Sequence, residues 1–106
     1  MAEPEPERLR RSCVEKLRPA EIGNRFLAIL AYLLEEEWTA PRIDALYLSR
    51  NGRLRARIGG QVSRKYFPGA VEGLIRDIRG LADVAELGPD EISYLLGRVA
   101  GIRRIE

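Results

Sequence analysis

The sequence predicts an α+β domain in which about four helices pack on one face of a β-hairpin. Apolar residues recur at helical spacing in four segments, as in amphipathic helices. An Asn-Gly pair between two short strand-like segments is the strongest short-range signal for a hairpin. At 106 residues the chain is expected to form one domain, with residues 1-6 as a flexible lead and residues 102-106 as a tail.

The first two predicted elements are helices. Leu9, Cys13 and Leu17 recur every four residues, with acids before them and bases at the end of the segment, an order that suits the helix dipole. A second helix is predicted over residues 19-37, with a proline in its first turn. Its apolar side is broad, so most of it is expected to be buried and to carry the core. The main stripe of this helix comprises Ile22, Phe26, Ile29, Leu30 and Leu33.

The hairpin is predicted over residues 42-60, with Asn51 and Gly52 as the two central residues of a type I′ turn. Such a turn pairs Arg50 with Arg53 and Leu48 with Arg55, which decides the face on which each side chain lies. One face is predicted to carry Ile43, Ala45, Tyr47, Leu54, Ala56 and Ile58. The opposite face, the predicted arginine face, carries Arg50, Arg53, Arg55 and Arg57 beside Leu46 and Leu48.

The second half of the chain is predicted to be mostly helical. Residues 61-69 form either a connector or a short third strand through Val62. A helix is expected near residues 70-80, and residues 81-87 either continue it or form a separate turn. The last helix is expected to begin at Pro89, with two acids in its first turn, and to end at Gly101.

The sequence lacks the groups that most catalytic and metal sites use. It contains no histidine, one cysteine and no phosphate-binding or dinucleotide-binding fingerprint. The densest acidic cluster, residues 35-37, is expected at a helix end, where three successive side chains diverge and cannot hold one ion. We therefore expect no enzymatic activity, cofactor, metal or small-molecule substrate, and a metal-assisted carboxylate enzyme is the third and least favoured reading.

Location is predicted from the cysteine usage and from the apolar runs. A single cysteine suits a reducing compartment, no apolar run is long enough to span a membrane, and the first residues lack the pattern of a signal peptide. The expected location is the cytoplasm, without membrane contact.

The charge is unevenly distributed and points to a binding surface. Residues 42-65 hold seven basic residues and one acid, a net charge of +6, whereas the remainder carries −4. Arginines along two strands are suited to contact phosphates, and an aromatic side chain beside them can stack on a base. The two leucines on the predicted arginine face indicate instead that this face is covered by a helix or by another chain.

The sequence therefore predicts a small non-catalytic intracellular adaptor or regulatory domain that acts through protein-protein contacts. The alternative is a nucleic-acid-binding regulator that contacts phosphates with the same arginines. A symmetric homodimer would complete the sheet, because an isolated hairpin is only marginally stable. The candidate partner-binding residues are Trp38, Leu46, Leu48, Arg50, Arg53, Arg55, Arg57, Arg64, Lys65 and Tyr66.

Overall fold

The computed structural model describes residues 4-63 and 70-104, and it confirms the predicted α+β class. The four helices are α1 (Glu5–Leu17), α2 (Asn24–Leu33), α3 (Val71–Val84) and α4 (Pro89–Ala100). The strands are β1 (Ala45–Leu48), β2 (Leu54–Ile58), β3 (Gln61–Ser63) and β4 (Arg103–Arg104). Within residues 4-63 and 70-104, no helix has the length and apolar character needed to cross a membrane.

The strands form one mixed sheet in the order β3-β2-β1-β4. β1, β2 and β3 pair antiparallel along the chain, whereas β4 pairs parallel with β1. The third-strand alternative for residues 61-69 is therefore correct for residues 61-63. The expectation of a tail after Gly101 is wrong for residues 102-104, because Ile102 is buried and the two residues after it extend the sheet.

Three helix boundaries differ from the prediction, and one open alternative is resolved. Residues 5 and 6, expected in a flexible lead, form the first turn of α1. α2 begins at Asn24, five residues after the proline that was expected to start it. The last residue of α2 is Leu33, whereas the prediction extended this helix to residue 37. Residues 81-84 continue α3, so the interior glycine at position 80 does not end that helix. The limits of α4 are as predicted.

The hairpin register differs from the prediction by one residue. Leu48 pairs with Leu54, and Leu46 pairs with Ala56, so the two leucines of β1 face two apolar residues of β2. All four are buried, and all belong to the hydrophobic core. Leu46 and Leu48 are therefore core residues, and the prediction that they lie on the arginine face is wrong.

The turn geometry explains the shift in register. Ser49 and Arg53 flank a three-residue loop: the Gly52 amide donates to the Ser49 carbonyl at 3.0 Å, and the Ser49 amide donates to the Arg53 carbonyl at 2.9 Å. Gly52 has a φ of 76°, whereas Asn51 does not adopt a positive φ. These features define a type I turn followed by a bulge at Gly52, not the two-residue type I′ turn predicted from the Asn-Gly pair.

The core lies between the helices and the inner face of the sheet. The four buried residues of β1 and β2 form this inner face. α4 packs against each of the other three helices. The largest fully buried side chains are those of Leu17, Leu30, Leu34, Ile78, Leu81 and Leu95. Because the chain itself supplies β3, β4 and a helical layer, the hairpin does not need a second copy to complete it.

The C-terminus of α2 is held by contacts from two other helices. Glu35 has a φ of 57°, and the Glu36 amide donates to the Ala31 carbonyl at 2.7 Å, as in a Schellman cap. Arg10 of α1 donates to the Leu34 carbonyl at 2.8 Å, and Arg98 of α4 donates to the Leu33 carbonyl at 3.0 Å. Cations at this end also interact favourably with the helix dipole.

Replacing Glu35 by glycine should stabilise the protein. The left-handed backbone at this position is strained for a residue with a Cβ atom, and glycine removes that strain, for a gain of about 0.5–1 kcal/mol. Urea denaturation followed by circular dichroism measures the change. Glu35→Ala is the matched control, because it removes the carboxylate and keeps the Cβ atom. An equal gain in both variants would assign the effect to charge and contradict the backbone explanation.

Candidate functional site

The side of the sheet opposite the core carries three of the candidate binding residues, Arg53, Arg55 and Arg57. Side chains alternate along a strand, so residues 53, 55 and 57 of the β2 segment project away from the buried Leu54 and Ala56. We call this side the outer face. It comprises Ala45, Tyr47, Arg53, Arg55, Arg57 and Arg103. Arg53, Arg57 and Arg103 are exposed, and the two apolar members, Ala45 and Tyr47, neither belong to the hydrophobic core nor pack against it.

Tyr47 lies at the centre of the outer face. Its strand is an inner strand of the sheet, and its cross-strand partners are Arg55 on β2 and Arg103 on β4. Directly opposed residues on neighbouring strands have Cβ atoms about 5 Å apart in antiparallel pairs. The sheet therefore places an aromatic ring in a row between two guanidinium-bearing side chains.

The acids nearest to the hairpin in sequence form contacts with groups other than the outer-face arginines. Glu36 pairs with Arg10 at 2.7 Å, and Glu37 pairs with Arg42 at 2.8 Å. The Asp44 carboxylate accepts a hydrogen bond from the Gly60 amide at 3.0 Å.

The positive charge of the outer face is therefore not neutralised within the described part of the chain. The side chains of Arg53, Arg55, Arg57 and Arg103 form no ion pair with any carboxylate of residues 4-63 or 70-104.

The other candidate residues do not join this group. Arg50 lies in the loop and already takes part in an interaction within the protein. Trp38 packs against the core and lines an open cleft of about 410 Å³ with residues of α2 and the 39-41 segment. Its indole N–H is buried without a hydrogen-bond partner among the described residues. The candidates Arg64, Lys65 and Tyr66 lie outside the described residues.

Comparison with known protein families, with curated proteins and with solved structures gives no match. The site is therefore interpreted from its own geometry and charge.

Three residues of the outer face, Ala45, Tyr47 and Arg103, were missed or misplaced by sequence reasoning. Tyr47 was assigned to the face opposite the arginines, an error that follows directly from the register. Arg103 was assigned to a tail, and its local sequence offers no strand signal because β4 has only two residues. Tyr47 could have been placed by matching the apolar residues of the two strands, whereas Arg103 could not have been placed from local sequence.

A second polar cluster, also unpredicted, lies between α1 and α4. The Glu91 side chain is 8% exposed and accepts hydrogen bonds from Lys16 at 2.8 Å, from the Gly88 amide at 2.7 Å and from the Ser12 hydroxyl. Burial raises the pKa of the Glu91 carboxyl, but these hydrogen bonds outweigh it, so the net shift is downward. Glu91 accepts the hydrogen bond of the Gly88 amide at the start of α4 and connects α4 to α1. We therefore interpret this cluster as structural.

Cys13 lies beside this cluster and should be unreactive in the folded protein. Burial, and then the negative charge of Glu91, raise the pKa of its thiol to about 12. Since the thiolate is the nucleophile, labelling by a chromogenic disulfide at pH 8 should be slow in the native state and complete in concentrated urea. Stopped-flow absorbance measures both rates. Rapid, complete labelling without denaturant would contradict this assignment.

Proposed function

We propose that this chain is a non-catalytic domain that binds nucleic acid on the outer face of its sheet. The observation that carries the proposal is the charge of that face. Four arginines project from two regions of the chain, the β2 segment and β4, onto one side, and no described carboxylate neutralises them. Most hydrogen bonds from proteins to nucleic acids go to phosphates and sugars, and arginine is well suited to phosphate oxygens.

The spacing of the arginines suits an extended polyanion. Residues two apart on a strand lie about 7 Å from each other, so Arg53, Arg55 and Arg57 form a row along β2. Arg103 adds a charge on the far side of β1. A chain of phosphates could follow this row and contact several guanidinium groups at once.

The corrected register removes the main reason for preferring a protein partner. That preference came from Leu46 and Leu48, which were expected beside the arginines and are instead buried in the core. A face on which a tyrosine lies among arginines, and from which both leucines are absent, is better matched to phosphates and bases. An acidic protein segment then becomes an outcome of the binding test.

Binding should be strongly salt-dependent. Four phosphate contacts predict that affinity falls about 50- to 150-fold between about 50 and 200 mM salt, because bound counterions are released. Fluorescence anisotropy with labelled 20-nucleotide RNA and DNA measures this slope. A polyglutamate peptide of equal length is the comparison. If the peptide binds and the oligonucleotides do not, the partner is an acidic protein and the proposal is overturned.

Replacing one arginine at a time shows which surface of the protein contacts the nucleic acid. Arg55→Ala should weaken binding and reduce the magnitude of the slope of log affinity against log salt by about one. Arg79→Ala is the matched control, because it removes an exposed arginine from α3, away from the sheet. Equal effects of the two variants would indicate non-specific attraction to net charge and would contradict a site on the outer face.

A further inference from the structure

The width of the sheet decides which form of nucleic acid can reach the outer face. The hairpin is flanked by β3 on one side and β4 on the other. Four strands spaced about 4.8 Å apart span about 14 Å between the outer backbones, before side chains are added. A major groove is about 12 Å wide and admits a helix or a two-stranded ribbon. The outer face therefore cannot enter a duplex groove as a hairpin would.

Tyr47 offers a surface that phosphate binding alone does not require. It is partly exposed, it does not pack against the core, and its hydroxyl forms no hydrogen bond with the described residues. An aromatic ring has a face on which any base can stack. In a duplex the base faces are covered by their neighbours, whereas a single strand can turn its bases toward the protein.

We infer that the outer face binds single-stranded nucleic acid and that one base stacks on Tyr47 between Arg55 and Arg103. This inference rests on the proposed function. Arg53 and Arg57 then contact the phosphates on the β2 side of that base, and Arg103 contacts the backbone on the β4 side. The cross-strand row places the ring and the cations so that one nucleotide can use both. The chemistry is shared by RNA and DNA, which the binding assay compares directly.

Three oligonucleotide probes test the inference. They are a 12-nucleotide single strand, the same strand annealed to its complement, and an abasic strand of equal length that keeps the phosphates. The single strand should bind at least about tenfold more tightly than either of the others, because only it presents unpaired bases. RNA and DNA versions of the single strand show whether the ribose hydroxyl contributes.

Two substitutions of Tyr47 distinguish stacking on the aromatic ring from contact with an apolar side chain of any shape. Tyr47→Phe keeps the aromatic face and should bind the single strand as the wild type does. Tyr47→Leu keeps an apolar side chain without the ring and should lose about tenfold in affinity, with an unchanged salt slope. Its affinity for the abasic strand should not change. Circular dichroism of both variants shows whether the sheet is intact.

The outcomes separate this inference from the function on which it rests. Absence of salt-dependent binding to every oligonucleotide would overturn the proposed function itself. Salt-dependent binding that is equal for the single strand, duplex and abasic strand would overturn only the inference. The same holds if Tyr47→Leu and Tyr47→Phe bind the single strand equally, because the base would then not contact the ring.

Discussion

Replacing Leu48 by aspartate should unfold the protein at room temperature. Leu48 is 6% exposed, pairs with Leu54 and belongs to the core between the sheet and the helices. The substitution removes a buried apolar side chain and places an unpaired charge in its position, for a loss of about 5 kcal/mol or more. That loss equals the whole stability of many domains of this size, about 5–15 kcal/mol.

The matched control is Arg57→Asp on the opposite side of the same hairpin. Arg57 is exposed and forms no ion pair with the described residues, so its substitution should change stability by about 0.5 kcal/mol or less. Urea denaturation followed by circular dichroism and by Trp38 fluorescence measures both variants. A folded Leu48→Asp protein would show that this leucine lies at the surface and would contradict the register of the hairpin.

The hairpin shows why sequence reasoning placed three candidate arginines on one face but misjudged their surroundings. Alternation within one strand places Arg53, Arg55 and Arg57 on one side, whatever the register. The identity of their neighbours on β1 depends on the loop length, and a slip of one residue exchanges the two faces of that strand. The Asn-Gly pair suits both a two-residue loop and a longer loop with a bulge at the glycine.

The apolar pattern contained the information that the turn did not. In the observed register one face of the hairpin is wholly apolar, with Leu46 and Leu48 opposite Ala56 and Leu54. In the predicted register the face with Tyr47 and Leu54 is also apolar, but Leu46 and Leu48 are left beside charged groups on the opposite face. Burial of a continuous apolar face is worth more than the preference of a dipeptide for one turn type. The hydrophobic pattern should therefore have decided the register.

Features that depend on distant residues were not predictable in the same way. The helices follow from their apolar stripes, and α1, α3 and α4 lie where those stripes place them. β4 exists because Ile102 is buried after α4, which brings the next two residues beside β1. Two of the partners of Glu91, Lys16 and Ser12, are likewise 75 and 79 residues away in sequence. Neither arrangement has a local signature.

Removing the carboxylate of Glu91 should destabilise the protein by about 2–3 kcal/mol. Glu91→Ala leaves the Gly88 amide and the Ser12 hydroxyl without their partner and separates α4 from Lys16. Loss of a helix cap costs about 1 kcal/mol, and loss of a charged hydrogen bond in a buried setting costs more. Urea denaturation at pH 7 measures the change. Ser93→Ala is the control, because Ser93 is exposed on the same helix.

The contribution of Glu91 should also depend on pH. Its carboxyl has an ordinary pKa of 4.5, and the hydrogen bonds from Lys16, Ser12 and Gly88 hold the folded pKa below that value despite burial. A lowered folded pKa means that the stabilisation is complete above the unfolded pKa and is lost as pH falls through the folded pKa. Glu91→Gln cannot ionise, so the stability difference between wild type and this variant should be constant near neutrality and shrink below about pH 4.5. A difference that stays constant down to pH 2 would show that the Glu91 charge does not hold α1 and α4 together.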